Sequence, residues 1–397
     1  MRALLLLAIL TTTAQAQWTL QQSPTTADLR GIDNVSPGIA WASGTNGTVL
    51  RTEDAGHLWQ VCTIPPNAAH LDFRGIQAFD ANTAIVMSSG KGDQSRLYKT
   101  TDGCQTWTLL FTNPDKDGFF DAIAADSKQL WILGDPVDGK FTVLRMPLVQ
   151  PLPAMTKDIP CTRSQFDLPV AHALRECANG LQANAATAGA FAASNSSFFI
   201  LPNAYQAYFG LVPKGVKGVK PTPVDRQLFA TGGTAGAKVC ERFISTTDGG
   251  EPPTWRCESV PLGAGTEASG AFSIFFNREQ KAVAVGGDYL KPNDSTNTAA
   301  FTTDGGKMWH AATTPPHGFR SAVAYDAPTK TWITIGPNGT DISTDDGRNW
   351  RPLHPTPDEA PDADQHWNAL SLPYAVGPHG RIGRLNPSAL KPTATKP

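Results

Sequence analysis

Three arginines in the sequence have the same local setting and could together bind an anion. Each follows a large apolar residue and precedes a small one, in the segments Leu29-Arg30-Gly31, Phe73-Arg74-Gly75 and Phe319-Arg320-Ser321. A guanidinium group presents paired N–H donors that match a carboxylate or a phosphate. If these segments begin equivalent strands of a symmetric fold, Arg30, Arg74 and Arg320 converge on one anion-binding or partner-binding site. The alternative is that each arginine pairs locally within its own repeat.

Two aspartates, Asp135 and Asp288, also take matching positions, since each closely follows a strand-ending glycine. They could bind a cation or cap a turn, and we favour capping. The histidines are scattered without metal-ligand spacing, and no two cysteines have CxxC spacing. The sequence therefore predicts no metal site, no cofactor and no catalytic residues.

A recurring pattern, Ser/Thr-x-Asp-x-Gly-x-x-Trp, predicts tight hairpin turns of the Asp-box type. The Asp carboxylate can accept backbone N–H groups, Gly supplies a positive φ, and Trp folds back over the turn. Because five equivalent copies cannot serve one active site, we interpret them as structural. The five Asp and Trp pairs are Asp54 with Trp59, Asp102 with Trp107, Asp248 with Trp255, Asp304 with Trp309 and Asp345 with Trp350.

A second landmark is a short apolar strand that ends in glycine, and it occurs seven times. Most of these glycines are separated by a length that suits one four-stranded sheet. The fold class is therefore predicted to be all-β, a seven-bladed β-propeller of four-stranded antiparallel blades. Residues 17–20 resemble the strand that follows an Asp turn, so the N-terminal strand is predicted to join the last blade and close the ring. The glycines are Gly44, Gly90, Gly134, Gly232, Gly286, Gly336 and Gly377.

The chain is predicted to consist of a signal peptide, one propeller domain and a tail. Residues 1–16 combine Arg2, an apolar run and the small-residue site Ala14-Gln15-Ala16, as export signals do. Residues 17–387 form the single domain, with an insertion at about 147–188 where the glycine landmarks are 98 residues apart. This insertion could bind a ligand, but a decoration of the fold is the favoured interpretation. Residues 388–397 are predicted to be a disordered tail.

Six cysteines in an exported chain are compatible with disulfides. Cys240 and Cys257 lie symmetrically about a turn and are predicted to pair across two strands. Cys161 and Cys177 could staple the insertion, and Cys62 and Cys104 occupy successive repeats. A zinc site is the less favoured alternative.

The charge balance limits the class of partner. Lys and Arg number 33 against 35 Asp and Glu, a net charge of −2, so no basic excess favours nucleic acid. The apolar run near the N-terminus is too short for a membrane span, and no later segment qualifies. The sequence predicts an exported protein, periplasmic or secreted, without a span in the mature chain.

The ordered set of motifs resembles the photosystem II stability/assembly-factor family over nearly the whole mature chain. Besides the Asp-box turns, the resemblance depends on Gly134-Asp135-Pro136, Ala190-Phe191-Ala192-Ala193-Ser194, Val285-Gly286-Gly287-Asp288-Tyr289 and Gly336-Pro337-Asn338-Gly339. It implies a bacterial exported relative of a non-catalytic propeller that binds a membrane-protein partner, with an arginine patch involved.

Three function classes follow. The first is a non-catalytic scaffold or assembly factor that binds another protein, and we expect a monomer. The second is a sialidase-like glycoside hydrolase, for which no nucleophile pair stands out. The third is a lectin-like propeller that binds carbohydrate.

Overall fold

The strands of the protein form seven sheets. We describe a computed structural model that covers residues 17–148, 161–162, 174–176, 183, 187–205, 223–245, 255–277 and 280–390. Within these residues, two short 3-10 helices, Gly92–Gln94 and Pro387–Leu390, accompany the strands. Blade 1 consists of β2 (Leu29–Ser36), β3 (Ile39–Gly44), β4 (Val49–Thr52) and β5 (Gln60–Val61), and blade 2 of β6 (Phe73–Ala78), β7 (Ala84–Ser88), β8 (Arg96–Thr100) and β9 (Thr108–Thr112). Blade 3 consists of β10 (Phe120–Ala125), β11 (Gln129–Val137), β12 (Lys140–Pro147), β13 (Cys161–Thr162) and β14 (Leu174–Glu176), and blade 4 of β15 (Phe198–Tyr205), β16 (Pro223–Thr231), β17 (Lys238–Ser245) and β18 (Arg256–Ser259). Blade 5 consists of β19 (Ser269–Phe276), β20 (Ala282–Asp288), β21 (Ala299–Thr302) and β22 (His310–Ala311), blade 6 of β23 (Ala322–Asp326), β24 (Thr331–Gly336), β25 (Gly339–Ser343) and β26 (Arg351–Pro352), and blade 7 of β27 (Ala369–Ser371), β28 (Tyr374–Val376), β29 (Ile382–Leu385) and β1 (Trp18–Leu20).

The sheets are arranged as the blades of a closed propeller. The first strands of successive blades contact one another around a complete ring, from β2 through β6, β10, β15, β19, β23 and β27 back to β2. Consecutive strands pair antiparallel within each blade, apart from the added strand β13 of blade 3. The prediction of an all-β, seven-bladed propeller is confirmed.

The hydrophobic core lies between neighbouring blades. One apolar cluster joins Trp41 of blade 1 to Phe73, Ile76 and Tyr98 of blade 2. The second strands of the blades are covered on both faces, and all five residues of β7 and all six of β24 are buried. Such strands read as continuous apolar runs because both faces pack against other sheets. This arrangement explains why they were visible in the sequence.

The N-terminal strand closes the ring by pairing with the last strand of blade 7. Trp18 lies opposite Leu385, and the Trp18 ring packs against that of Trp367 with a centroid distance of 5.0 Å. The backbone N–H groups of Gln17 and Trp18 both donate to Oε1 of Glu359 at 2.8 Å. The two ends of the described chain are thus held in one blade.

The strand-ending glycines have a steric cause. Gly44 lies opposite Leu29, and a Cβ at Gly44 would lie 2.2 Å from the carbonyl oxygen of Asp28. No side chain fits at that distance. The register between β2 and β3 shifts between Leu29 and Gly31, so Arg30 occupies a β-bulge next to this close approach. Bulges redirect a side chain out of the regular pleat.

Four Asp turns have the same hydrogen bonds. In the first, Asp54 Oδ1 accepts the Leu58 N–H at 2.9 Å and the Thr52 hydroxyl at 2.9 Å, while Thr52 Oγ1 accepts the Gly56 N–H at 3.0 Å. Asp102, Asp304 and Asp345 repeat this pattern. The Trp side chains of these turns are all buried. Asp248 lies outside the described residues, whereas Trp255 of the same repeat packs on Phe229.

The region of the predicted insertion contributes to blade 3. Strand β14 pairs antiparallel with β12, and β13 pairs with β14, so this sheet has five strands. At least this part of the region therefore supplies the outer strands of a blade. The favoured interpretation of this region as a decoration of the fold did not include this role. Strands of two or three residues, such as β13 and β14, are too short to show a hydrophobic alternation in the sequence.

Two disulfides join the cysteines that the sequence paired by position. Cys240 and Cys257 lie opposite each other on β17 and β18, and Cys62 is bonded to Cys104 in the next blade. Cys177 lies outside the described residues, so the pairing of Cys161 with Cys177 stays a prediction.

The predicted end segments are only partly within the described residues. The signal peptide at 1–16 and residues 391–397 lie outside them. Of the predicted tail, residues 388–390 belong to a 3-10 helix, and Leu390 is buried against blade 6 and blade 7 residues. In the part of the chain that the structure describes, no helix is both long and apolar enough to cross a membrane.

Candidate functional site

The two faces of the propeller differ in what they carry. The first strand of each blade begins on one face, which we call the upper face, and antiparallel order places the loops after each second strand there too. The Asp turns connect third and fourth strands and so lie on the opposite, lower face. Binding residues concentrate on loops that a rigid scaffold positions, and the upper face carries the loops between blades.

Four first strands carry a β-bulge at their upper end. The bulged residues are Arg30 in β2, Arg74 in β6, Asp121 in β10 and Phe272 in β19. Repetition of the bulge in four blades places these side chains at equivalent positions around the mouth of the central channel. The ring is therefore mixed in chemistry, with two cations, one carboxyl group and one aromatic ring.

Arg30 and Arg74 flank a single carboxylate. Arg74 Nε donates to Asp72 Oδ2 at 2.8 Å, and Arg30 Nε lies 4.0 Å from Asp72 Oδ1. Arg30 also lies 3.8 Å from Asp28. The side chains of Arg30 and Arg74 are 31% and 32% exposed, so both guanidinium groups can still reach a ligand. We call Arg30, Asp72 and Arg74 the arginine pair site.

Residues 189–197, which we call the channel segment, cross the central channel. Asn195 Oδ1 accepts the Ile123 N–H of blade 3 at 2.7 Å. Ser196 Oγ lies 2.7 Å from Ser273 Oγ of blade 5, and Ser194 Oγ donates to the Ser321 carbonyl of blade 6 at 2.9 Å. Asn195 Nδ2 also donates to the Ile76 carbonyl of blade 2 at 3.3 Å. Blades 2 and 6 lie on opposite sides of the ring, so one segment that bonds to both must span it.

The channel segment forms the floor of the upper face. Ala192 O accepts a hydrogen bond from Arg74 Nη1 at 3.4 Å, and Ala190 N–H donates to Asp135 Oδ1 at 3.1 Å. Phe191 stacks on Phe272 with a centroid distance of 3.8 Å. A ligand that enters from the upper face therefore meets a built floor instead of an open pore.

Two carboxyl groups of blade 3, those of Asp121 and Asp135, interact with each other, and Asp121 also interacts with Arg74. Asp121 is 1% exposed and its Oδ2 has no hydrogen-bond partner. Burial is the main cause that raises the pKa of Asp121 well above its usual range, and the nearby negative charge of Asp135 raises it further. The positive charge of Arg74 acts in the opposite direction. Burial raises the pKa of Asp135 to about 6, although the Ala190 N–H opposes this.

A cleft of about 440 Å³ opens beside these carboxyl groups. Asp117, Asp135 and Glu267 contribute its charged lining, and Phe191 of the channel segment lies among its walls. The cleft is bordered by the end of β11 in blade 3, by the loop after β16 in blade 4, and by the channel segment. We call it the acidic cleft.

Arg320 has a different environment from Arg30 and Arg74. Its side chain is 0% exposed, and its guanidinium bonds to both the Asp341 carboxylate and the Phe319 carbonyl, the latter at 2.8 Å. His317 Nδ1 lies 2.9 Å from Asp341 Oδ1, and this hydrogen bond raises the pKa of His317. Arg320 is therefore occupied within blade 6 and is not available to an external anion. The contacts of Arg320 fit the alternative interpretation, in which an arginine pairs locally within its own repeat.

Asp135 and Asp288 both accept backbone N–H groups, as turn-capping residues do. Asp288 Oδ1 accepts the Leu290 N–H at 3.0 Å, and Lys291 lies 3.6 Å from Oδ2. Within the described residues, no group of three or more His, Cys, Asp or Glu side chains is arranged to hold a metal ion.

Sequence reasoning missed Asp72, Asp121 and the crossing of the channel. Asp72 lies two residues before Arg74, just as Asp28 lies two residues before Arg30, so the repeated Asp-x-Arg spacing was the signal that could have found it. Asp121 stands at the position of Arg30 and Arg74 in the third repeat, so alignment of Phe120-Asp121-Ala122 with the arginine segments would have found it. The crossing left no comparable pattern.

Comparison with known proteins supports the architecture. No family model matches the sequence, and no curated protein matches it. Among solved structures, one described as YCF48 bound to D1 peptide has 15% identity and a TM-score of 0.55, covering 94% of this chain and 97% of that one. YCF48 from Cyanidioschyzon merolae has 13% identity and a TM-score of 0.52, with 94% and 100% covered. The WD40 propeller domain of Doa1 has 9% identity and a TM-score of 0.53, with 94% and 98% covered. At these identities the chain shares the propeller fold with these proteins.

Proposed function

We propose that this protein is a non-catalytic scaffold or assembly factor that binds a segment of another protein on its upper face. The observation that carries the proposal is the arginine pair site, where Arg30 and Arg74 from adjacent blades flank Asp72 at the mouth of a floored channel. The site is partly exposed, and its arginines occupy bulges that recur around the ring. Such a site suits a chain segment better than a small enclosed substrate.

The arginine pair site is proposed to hold an acidic group of the partner. Each guanidinium keeps free N–H donors, since a guanidinium has five and the contacts to Asp72 use few of them. A carboxylate that approaches from the upper face can accept from both arginines. The solved neighbour that is described as bound to a D1 peptide supports a protein segment as the ligand.

An exported location is part of the proposal. The disulfides Cys62–Cys104 and Cys240–Cys257 support an oxidising compartment. Together with the family resemblance of the sequence, the disulfides support a periplasmic or secreted protein that acts on a membrane protein from the exported side.

A random 12-residue peptide library, selected on immobilised wild-type protein and on the double variant Arg30→Gln/Arg74→Gln, tests the proposal. We expect wild-type protein to enrich peptides with acidic residues and the double variant to lose that enrichment. The control is Arg351→Gln, which removes an exposed arginine from the outer strand of blade 6. Equal enrichment by wild type and the double variant would contradict the proposal.

Two alternatives from the sequence stay predictions. A sialidase-like glycoside hydrolase predicts turnover of a panel of fluorogenic glycosides that is lost in Arg74→Ala. A lectin-like propeller predicts binding to a glycan array without turnover. Either result, with no selection of peptides, would replace the scaffold proposal.

A further inference from the structure

The acidic cleft has more negative charge than its surroundings neutralise. Asp135 and Glu267 form no ion pair among the described residues. Asp117 does pair with Lys91 at 3.2 Å, but both side chains are largely exposed, where such pairs contribute little. Two of the three carboxyl groups that line the cleft are thus without a cation.

A third carboxyl group, that of Asp121, interacts with the cleft through Asp135. Asp121 is buried, its Oδ2 has no hydrogen-bond partner, and it feels the charges of Asp135 and Arg74. A buried carboxyl group without a hydrogen-bond donor is costly, and native proteins rarely keep one without a reason. A cationic ligand beside Asp135 would lower this cost, which makes Asp121 independent evidence for a cation at this place.

An apolar surface adjoins the cleft on the blade 5 side. Phe191, which lines the cleft, stacks on Phe272, and Phe272 contacts the Tyr289 ring edge-on at 6.1 Å. Tyr289 is 49% exposed and Leu290 is 70% exposed. The Tyr289 N–H donates to the Ala268 carbonyl at 3.2 Å, which places these side chains next to Glu267. We call Tyr289 and Leu290 the apolar shelf.

We propose that the acidic cleft binds a lysine or arginine side chain of the partner segment, while a neighbouring large apolar residue of that segment lies on the apolar shelf. The inference rests on the proposed function and names a second contact for the same partner. The charge of the lining selects a cation, and the exposed Tyr289 and Leu290 side chains select an apolar neighbour.

The two contacts together give the bound segment a direction. The arginine pair site belongs to blades 1 and 2, whereas the acidic cleft and the apolar shelf belong to blades 3 to 5. A segment that places an acidic group at the first and a basic group at the second can lie across the channel segment in only one orientation. Opposite charges at the two ends of a site contribute more to the choice of partner and its orientation than to the binding affinity.

The test uses the 12-residue peptide library with the full-length mature chain. Selection is carried out on wild type, on Asp135→Asn/Glu267→Gln, on Tyr289→Ser/Leu290→Ser, and on Asp358→Asn as an exposed acidic control outside the cleft. Asparagine at 135 keeps an oxygen that can accept the Ala190 N–H, so the floor stays in place. Circular dichroism and thermal unfolding confirm that each variant is folded.

We expect wild type and Asp358→Asn to enrich a basic residue beside a large apolar residue, and we expect both cleft and shelf variants to lose this pair. A peptide of the enriched sequence, labelled for fluorescence anisotropy, should bind wild type about tenfold more tightly than its Lys→Gln or Arg→Gln counterpart, and the cleft variant should not distinguish the two. Absence of the basic and apolar pair, or its equal loss in Asp358→Asn, would overturn the inference.

Failure of this inference can be separated from failure of the proposed function. Enrichment of acidic residues that depends on Arg30 and Arg74, without a basic and apolar pair, would leave the proposed function standing and reject the cleft. Enrichment of the basic and apolar pair alone would reject the role of the arginine pair site. Selection of no peptide would reject both.

Discussion

Arg30 and Arg74, which occupy the same bulge in adjacent blades, approach the two oxygens of one carboxylate, that of Asp72. This sharing follows from the fold, because neighbouring first strands lie side by side around the channel. Arg320, which the sequence aligns with them, is instead enclosed with Asp341. The three arginines therefore divide into two that can meet a ligand and one that holds a blade together.

This division predicts different stabilities for the arginine variants. Arg320→Gln removes the guanidinium that is paired with buried Asp341 and leaves only His317 beside this carboxylate, so we expect the free energy of unfolding to fall by about 3–5 kcal/mol. Arg30→Gln and Arg74→Gln break partly exposed ion pairs and should each cost no more than about 1 kcal/mol. Urea denaturation followed by tryptophan fluorescence measures all three. Equal losses for Arg320 and Arg74 would contradict the division.

Closure of the ring predicts a large effect at Trp18. The side chain is 2% exposed, packs on Trp367 and donates from Nε1 to Thr340 Oγ1 at 3.2 Å. Truncation of a buried tryptophan costs about 3–5 kcal/mol, so Trp18→Ala should lower the urea midpoint strongly. Leu20→Ala, in the same strand but exposed, is the matched control and should have little effect. A stable chain that lacks residues 17–22 would count against the closure.

The glycine landmark predicts a steric effect at Gly286. A Cβ at this position would lie 1.9 Å from the carbonyl oxygen of Gly270 in the adjacent strand, so the backbone must shift. Gly286→Ala should destabilise the protein by about 1–3 kcal/mol or more. At Gly38 the nearest atom to a Cβ is 3.4 Å away, so Gly38→Ala should be tolerated. Thermal unfolding compares the two variants, and equal melting temperatures would show that the close approach is relaxed in solution.

Asp33 predicts a pH dependence of stability. Burial raises its pKa to about 6, although its carboxylate accepts the Ala78 N–H at 2.7 Å. The native state then holds a proton that the unfolded chain, with a pKa of about 3.9, has lost, so stability falls as the pH rises from about 4 to about 6.5. Over the whole pH interval the free energy of unfolding falls by an amount on the order of 3 kcal/mol.

The variant Asp33→Asn cannot ionise and keeps an acceptor for the Ala78 N–H. Its stability relative to wild type should therefore increase as the pH rises over this interval and stay constant above it. Urea denaturation at pH 4.5 and pH 7.5 gives the difference, with Asp358→Asn as control. An unchanged difference between the two pH values would mean that Asp33 titrates normally.

The sequence predicted the fold because its signals repeat. The buried second strands, the glycines at their ends and the Asp turns recur in successive blades, and one copy supports the interpretation of the next. The N-terminal strand could be assigned to the last blade for the same reason. Blade 3 was the exception, since β13 and β14 are too short to show a period and lie within a sequence rich in Pro, Ala and Asn.

The site was predictable only where it repeats. Arg30 and Arg74 were found because their neighbours Leu29, Gly31, Phe73 and Gly75 match. The same match grouped Arg320 with them, whereas its contact with Asp341 depends on packing within blade 6 and not on local sequence. The channel segment occurs once, and its contacts with blades 3, 5 and 6 are long-range, so no local pattern could reveal them.

The most direct test of the scaffold proposal is hydrogen–deuterium exchange with and without an acidic peptide selected by the wild-type protein. The proposal predicts slower exchange at the upper face, around residues 28–31, 72–75 and 189–193, with no change at the Asp turns of the lower face. The protection should disappear in Arg30→Gln/Arg74→Gln. Protection confined to the lower face, or protection that persists in the double variant, would contradict the proposal.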